Sequence, residues 1–338
     1  MPQVRVGGTW LSSLGSWGDH VIDHRLQGGP WEMTWGMTTK RRHRDLVPGA
    51  AVSAWLGPRP IWSGFLREPD WTSGEFVAEG LARQAESVPC LTGAGVTTTT
   101  PDTAIDNGIA KGWLDWSRVS SFSSAALVEG DSTDNLNSVD DLLSAYSEDQ
   151  GRYWTLDPRA IIHNPLQRKG MTPAAGFWDV IVEGDRLGTS EEKLAGTVVA
   201  RYADSGSSGL KKTVIVPATG GELPVVKVDL TNRGPITTAK STATAQAILD
   251  SAAAQVGLLG TFEVTRNQIV GRPNLAMVTA GHRFRLRGQH APSGLSASPV
   301  CTADQSRWTV AEGTVLITPL GAPQRDLESI IETAGVAA

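Results

Sequence analysis

Cysteine is scarce in this chain: Cys90 and Cys301 are the only two among 338 residues. They lie far apart, with no CxxC spacing and no neighbouring histidine, which argues against a zinc site, leaves a disulfide open and favours two buried thiols. Charge is also sparse, at 19% of residues, and lacks a positive excess: 30 Lys and Arg against 35 Asp and Glu give a net charge of −5. No global field therefore draws the chain to phosphate backbones, and specific nucleic-acid binding is not expected. No apolar run is long enough to cross a bilayer, and the opening "MPQVRVGGTW" lacks a charged stretch followed by an apolar one. A reducing, aqueous compartment and no stable membrane association are expected.

Catalytic signatures are missing too. The sequence holds no GxSxG elbow, HExxH helix, phosphate-binding GxxxxGK or GxGxxG fingerprint. "GDHVIDH" sets His20 and His24 four apart beside Asp19 and Asp23, a metal-binding pattern if helical. Its alternation and flanking glycines read instead as a strand with polar groups turned to solvent. "VEGDSTDNLNSVDD" is acid-rich but lacks the oxygen-ligand spacing and glycine of a calcium loop. The expectation is a protein that is not an enzyme and takes no metal or cofactor.

Tryptophan is abundant by contrast, with 12 residues against nine Phe and Tyr together. Seven precede residue 72: Trp10, Trp17, Trp31, Trp35, Trp55, Trp62 and Trp71. An indole couples a large apolar body to one donor, so it serves as core filler, as interface anchor or as sugar platform.

Around them the pattern is that of strands and turns. "AAVSAWLG" alternates, "PIWSGFL" follows a Gly-Pro turn, and "GEFVAEGLA" follows a turn at "EPDWTSG", which together predict a meander. Gly64 in mid-strand implies a bulge or a close backbone approach. "GGPWEMTWGM" reads as a turn and a strand with Trp31, Met33 and Trp35 on one face. Residues 1–88 are thus expected to form one small antiparallel barrel or sandwich.

After Pro89 the character changes. Thr100 and Pro101 suit the start of a helix in which Ile105, Ile109, Trp113 and Trp116 recur at helical spacing. Gly108 and Gly112 weaken that helix unless something approaches closely. Ser138 with Asp141 forms a capping pair for a second helix carrying Val139, Leu142, Leu143 and Tyr146, ended by Gly151 and followed by a strand at "RYWTLD". Residues 89–190 are expected as a mixed α/β unit. Strands return at "EEKLAGTVVARYA", "GLKKTVIVPA" and "LPVVKVDL", then a helix over 239–257 built on Ala245, Ile248, Leu249, Ala252, Ala253 and Val256. "GTFEVTRNQIVG", "AGHRFRLRG" and "EGTVLITPLG" supply further strands, the middle one with Arg283, Arg285 and Arg287 forming a basic face for an acidic partner or passing DNA. The closing "RDLESIIETAGVAA" reads as a docking helix or a frayed end.

The runs "GGPWEMTW", "LVPGAAVSAWLGPRPIWSGFLREPDWTSGEFVAEGLARQAE" and "SVDDLLSAYSEDQGRYWTLDP" resemble, in that order over residues 28–158, the minor tail proteins of long-tailed actinobacteriophages, above all their tail hub or baseplate hub family. The resemblance implies an α+β, mainly β fold: two small antiparallel β-barrel domains, 1–88 and 191–338, with an α/β domain, 89–190, inserted between them. The second barrel is interrupted by the 239–257 helix, so that any fourth domain shrinks to little more than that helix. It also implies a homotrimeric ring that closes the distal tail tube, adapts six-fold to three-fold symmetry and lets genomic DNA pass without specific binding. Its neighbours would be the distal tail protein ring, the tape measure protein and a central fibre or other tip proteins; its place, the distal tail tip of a virion assembled in the host cytoplasm. Candidate assembly and packing residues are Trp31, Trp35, Trp55, Trp62, Gly64, Pro69 and Trp71, since rigid turns and broad aromatic anchors lose little entropy on association. A hexameric distal tail ring protein, a Trp-rich host-carbohydrate-binding tail protein and a tail-associated hydrolase are the competing readings.

Overall fold

The computed structural model describes residues 2–38, 43–118, 122, 138–149, 152–159, 161–162, 167–168, 178–181, 197–207, 209–217, 225–231, 234–254, 260–288 and 300–320. The first region runs β1 (Gln3–Val6), β2 (Thr9–Trp10), α1 (Leu11–Leu14), β3 (Ser16–Arg25), β4 (Gly29–Thr38), β5 (Ala51–Leu56), β6 (Arg59–Pro69) and β7 (Glu75–Gly80). The three meander strands fall where alternation put them, with Gly57 at a φ of 58° opening the tight β5–β6 turn. Val52 and Ala54 of β5, Trp62 and Leu66 of β6, and Phe76 and Ala78 of β7 turn to one side and join Val4, Val6, Ile22, Met33 and Trp35 in the first core.

α2 (Gln84–Ser87) follows, and the region after it holds α3 (Pro101–Ala110), β8 (Ser117–Arg118), α4 (Val139–Asp149), β9 (Arg152–Tyr153), β10 (Ile161–Ile162) and β11 (Gln167–Arg168). The capping pair at α4 forms as expected: Asp141 N–H donates to Ser138 Oγ at 3.1 Å, and Ser138 N–H donates to Asp141 Oδ2 at 2.9 Å. Val139, Leu142 and Leu143 are fully buried against Ala85, Ile105, Trp116 and Trp154. α3 is shorter than its apolar spacing suggested. It stops at Ala110 because Gly112 takes a φ of 67°, so Trp116 reaches the core from a loop and Trp113 stays 41% exposed. Gly108 does meet a close approach, since a Cβ there would lie 2.7 Å from Leu114 Cδ1. Gly151 and most of the acid-rich stretch lie outside the described residues. This region meets the β3–β4 turn, where Gly28 N–H donates to Trp154 O at 3.0 Å and Leu156 N–H donates to Gly28 O at 3.1 Å.

The last region comprises β12 (Trp178–Ile181), β13 (Thr197–Asp204), β14 (Leu210–Pro217), β15 (Val225–Asp229), β16 (Pro235–Ile236), α5 (Thr238–Ala254), β17 (Phe262–Thr265), β18 (Arg283–Arg287), β19 (Val300–Thr309) and β20 (Thr314–Pro319). Its strands divide. β13 to β16 form a four-stranded sheet of their own, and α5 packs on one face of it through Ala245 and Leu249, so more than the expected lone helix stands here. Val256 and Gly257 lie outside the described residues. β12, β17, β18, β19 and β20 surround a third core of Val180, Phe262, Val264, Phe284, Leu286, Val315 and Ile317.

β19, which the sequence does not announce, joins the two halves. It pairs antiparallel with β20 and β18, and also with β3, matching Gln305 with Arg25 and Thr309 with Val21. The outcome is one 12-stranded sheet in the order β12-β18-β19-β3-β4-β7-β6-β5-β1-β2, with β20 and β17 branching from β19. Trp308 of β19 packs against both cores. The fold is α+β and mainly β.

Candidate assembly surface

The seven singled-out residues sort by side of the sheet. Trp35 and Trp62 are core fillers, 2% and 0% exposed. Trp35 stacks on Phe76 with ring centres 5.7 Å apart, and Trp71 meets the same ring edge-on at 5.3 Å, above the register pair Pro69–Phe76. These form one aromatic unit at the β6–β7 end. Gly64 stands opposite Gly80, and a Cβ on it would lie 2.0 Å from Glu79 O and 2.4 Å from Trp62 Cη2. Gly80 is as tight, with Pro30 O at 1.9 Å. The glycine in mid-strand is therefore there for close approach, and the indole of Trp62 fills the space its missing side chain leaves.

Trp55 is half-buried on the opposite face of β5 from Val52 and Ala54, and its Nε1 donates to Ser53 Oγ at 2.9 Å. Trp31 departs from the expected shared face. The β3–β4 register shifts between Asp23 and His24, pairing them with Glu32 and Pro30 and passing over Trp31. Its ring lies under two guanidiniums instead, Arg25 at 4.2 Å and Arg83 at 5.4 Å. Glu79 ties this surface together by accepting from Arg67 and Arg83, each at 2.6 Å. The Trp31 face is thus a braced cationic and aromatic surface, while Trp35 and Trp62 are its foundation.

The "GDHVIDH" strand corrects the expectation of polar groups turned to solvent. β3 lies inside the sheet between β4 and β19, and His20, Ile22 and Asp23 are buried, with His24 nearly so. His24 Nε2 lies 3.2 Å from Ile61 O, and Gln305 Nε2 donates to Asp23 Oδ2 at 2.8 Å. Burial pushes the pKa of His20 down to about 4 against the pull of Asp19. Burial likewise holds His24 at about 4, aided by His282. Burial lifts Asp23 to about 6 against its bond from Gln305 and the pull of Arg25 and Arg307. Among the described residues no three His, Cys, Asp or Glu side chains come together as a metal site.

The basic face at 283–287 is engaged in part within the chain. β12 runs parallel to β18 and sets Asp179 opposite Arg285. Asp179 accepts from Arg285 Nε and, at 2.7 Å, from Arg285 Nη2; Arg287 donates to it at 3.1 and 3.0 Å. The two guanidiniums hold this carboxyl at about 2. Two of the three arginines are thus engaged within the chain, and the one carboxylate offsets part of the charge of this strand. Asp179→Ala is expected to lower stability by about 1 kcal/mol, because two solvent-screened ion pairs are lost from the strand that closes this sheet edge. Urea unfolding checks the loss, and faster amide exchange along 178–181 would place it at β12.

No protein-family model and no curated protein matches the sequence. Solved structures of like architecture include the 43 kDa tail protein of prophage MuSo2 from Shewanella oneidensis. It has a TM-score of 0.62 and 12% identity, over 94% of this chain and 97% of that one. Prophage tail protein gp18 from Listeria monocytogenes gives 0.60 and 10% over 98% of both chains. A tail protein from Neisseria meningitidis gives 0.54 and 14%, over 94% of this chain and 95% of that one. The chain thus has the fold of these phage tail proteins along nearly its whole length.

Proposed function

We propose that this protein is a structural subunit of a phage tail, and within the tail the hub at its distal tip. The observation that carries this reading is end-to-end correspondence with the MuSo2 tail protein, covering 94% of this chain and 97% of that one, rather than a match to a single motif or module. In this reading residues 1–88 and 191–338 are two barrel-like units, with the strand at 178–181 contributed to the second by the end of the 89–190 insert. Three copies form a ring, whose paired units offer six similar contacts to a six-fold tail tube. The distal tail protein ring, the tape measure protein and a central fibre or other tip proteins are its neighbours. Genomic DNA passes the ring without specific binding, in keeping with a chain of net charge −5. Trp31, Trp55 and Trp71, all partly exposed, are the aromatic residues that reach a neighbour, whereas Trp35, Trp62, Gly64 and Pro69 set the shape that presents them. The kinship with actinobacteriophage hubs rests on the sequence runs quoted above.

Mass measurement of assembled tail tips tests this. Three copies per tip are expected. Six copies would assign the chain to the distal ring, and absence from purified virions would end the structural reading.

A further inference from the structure

We propose that the open face of the β13–β16 sheet is a contact surface for a second copy of this chain, seated on an acidic part of that copy. The proposal rests on the ring reading and deepens it. α5 covers one face of this sheet, where Val198, Ala200, Tyr202 and Val216 are buried. The other face carries Val199, Ile215 and Val225, brought together by the register pairs Val199–Ile215 and Thr197–Val225. Ile215 is 64% and Val225 56% exposed. A solvated strand face is ordinarily polar, so apolar β-branched side chains gathered at its centre mark it for covering.

Charge decides what covers it. Alternation places Arg201, Lys211 and Lys227 on the same face as those apolar residues, against a single carboxylate among the described residues, Asp229, which accepts from the Thr231 amide at 2.9 Å. This face is therefore cationic on a chain whose net charge is −5. Face against face would set cations on cations. Face against the acidic remainder of another copy is attractive, and such a head-to-tail contact is the kind that closes into a ring. Lys211, Lys212 and Pro217 guard the β14 edge of the sheet against edge-to-edge pairing.

The test is the solution mass of the full chain, alone and in mixtures, with Lys211→Glu/Lys227→Glu and, separately, Ile215→Ser. Wild type is expected to self-associate, weakening as salt rises, and both variants to weaken association at least tenfold with unchanged circular dichroism and thermal melting. The charge-reversed variant still offers its acidic surface. Added to wild type, it should cap assemblies and drive them towards dimers. A monomeric wild type, variants that associate as wild type does, or a reversed variant that never enters wild-type assemblies would each overturn the proposal. Three copies per tail tip alongside unaffected variants would sink this contact and leave the ring reading standing.

Discussion

Trp62→Ala is expected to destabilise the first β region by about 3–5 kcal/mol, the range for deleting a buried indole whose surroundings cannot collapse into the gap. The surroundings here are unusually fixed: Trp62 is fully buried, pairs with Ala54 across the sheet, and lies against the point where Gly64 meets Glu79 and Gly80 meets Pro30. None of those backbone atoms can move inward without breaking ladder bonds. Trp62→Phe, which keeps most of the ring, should lose less than half as much. Gly64→Ala errs in the other direction. Its Cβ has backbone oxygen at 2.0 Å, so overfilling costs about 3 kcal/mol, at or above the upper end for added methylenes, because a carbonyl yields less than a side chain. Chemical unfolding followed by tryptophan fluorescence and, separately, by circular dichroism measures all three; a Trp62→Ala loss under about 1 kcal/mol would contradict the packing described.

The second large effect is acid lability. His20, His24 and His282 are held at about 4 by burial, against about 6.5 for unfolded histidine. Between those values the unfolded chain takes up protons that the folded chain refuses, so stability is full above pH 6.5 and falls as pH drops towards 4. From pH 7 to 5 each histidine removes about 2 kcal/mol. Asp23 and Asp140 act with the opposite sign. Burial lifts each to about 6, so they bind protons in the folded state first and return about 1 kcal/mol apiece over the same interval. Asp304, raised by burial, works in the same direction. The net expectation from these five groups is a loss of roughly 3–4 kcal/mol between pH 7 and 5, which Asp304 lessens, with further loss towards pH 2 as Asp179 is protonated away from its arginines. His24→Gln should shrink the fall from pH 7 to 5 by about 2 kcal/mol, and Asp23→Asn should deepen it by about 1. A stability curve flat from pH 7 to 5 would contradict the burial of the histidines in the β3 region.

These two predictions draw on residues the sequence treats very differently. Trp62 and Gly64 stand in a stretch where alternation, the Gly-Pro turn and a mid-strand glycine all read correctly, because each signal is local. The capping pair Ser138–Asp141 and the α4 stripe were legible for the same reason. The histidines were misread. A polar alternating strand with one face in water and one whose polar side chains are buried have the same local pattern, and a group that meets those side chains, such as Gln305 of β19 on Asp23, comes from nearly 300 residues away. Within β19, Gln305, Arg307 and Trp308 each take a role from a neighbour, so its sequence carries little strand signal of its own. Asp179 was overlooked similarly: the arginines at 283, 285 and 287 were evident, but their carboxylate partner lies over a hundred residues away. Among the candidate assembly residues the sequence could pick out the tryptophans but not their sides, since the bulge that turns Trp31 towards Arg25 and Arg83 arises from pairing between β3 and β4.

By itself the sequence determined the class of the chain: mainly β with helices, without a net positive charge, and too short in apolar runs to span a bilayer by a helix. Those properties are sums or short-range periodicities, and they survive without knowledge of partners. Tertiary structure alone decided that the two β regions share one sheet, that the polar strand β3 within that shared sheet is buried, and that the small sheet built from β13 to β16 stands apart with a bare cationic face. Each of these depends on which distant strand pairs with which, and strand pairing is settled by the burial of whole faces rather than by any residue's own preference.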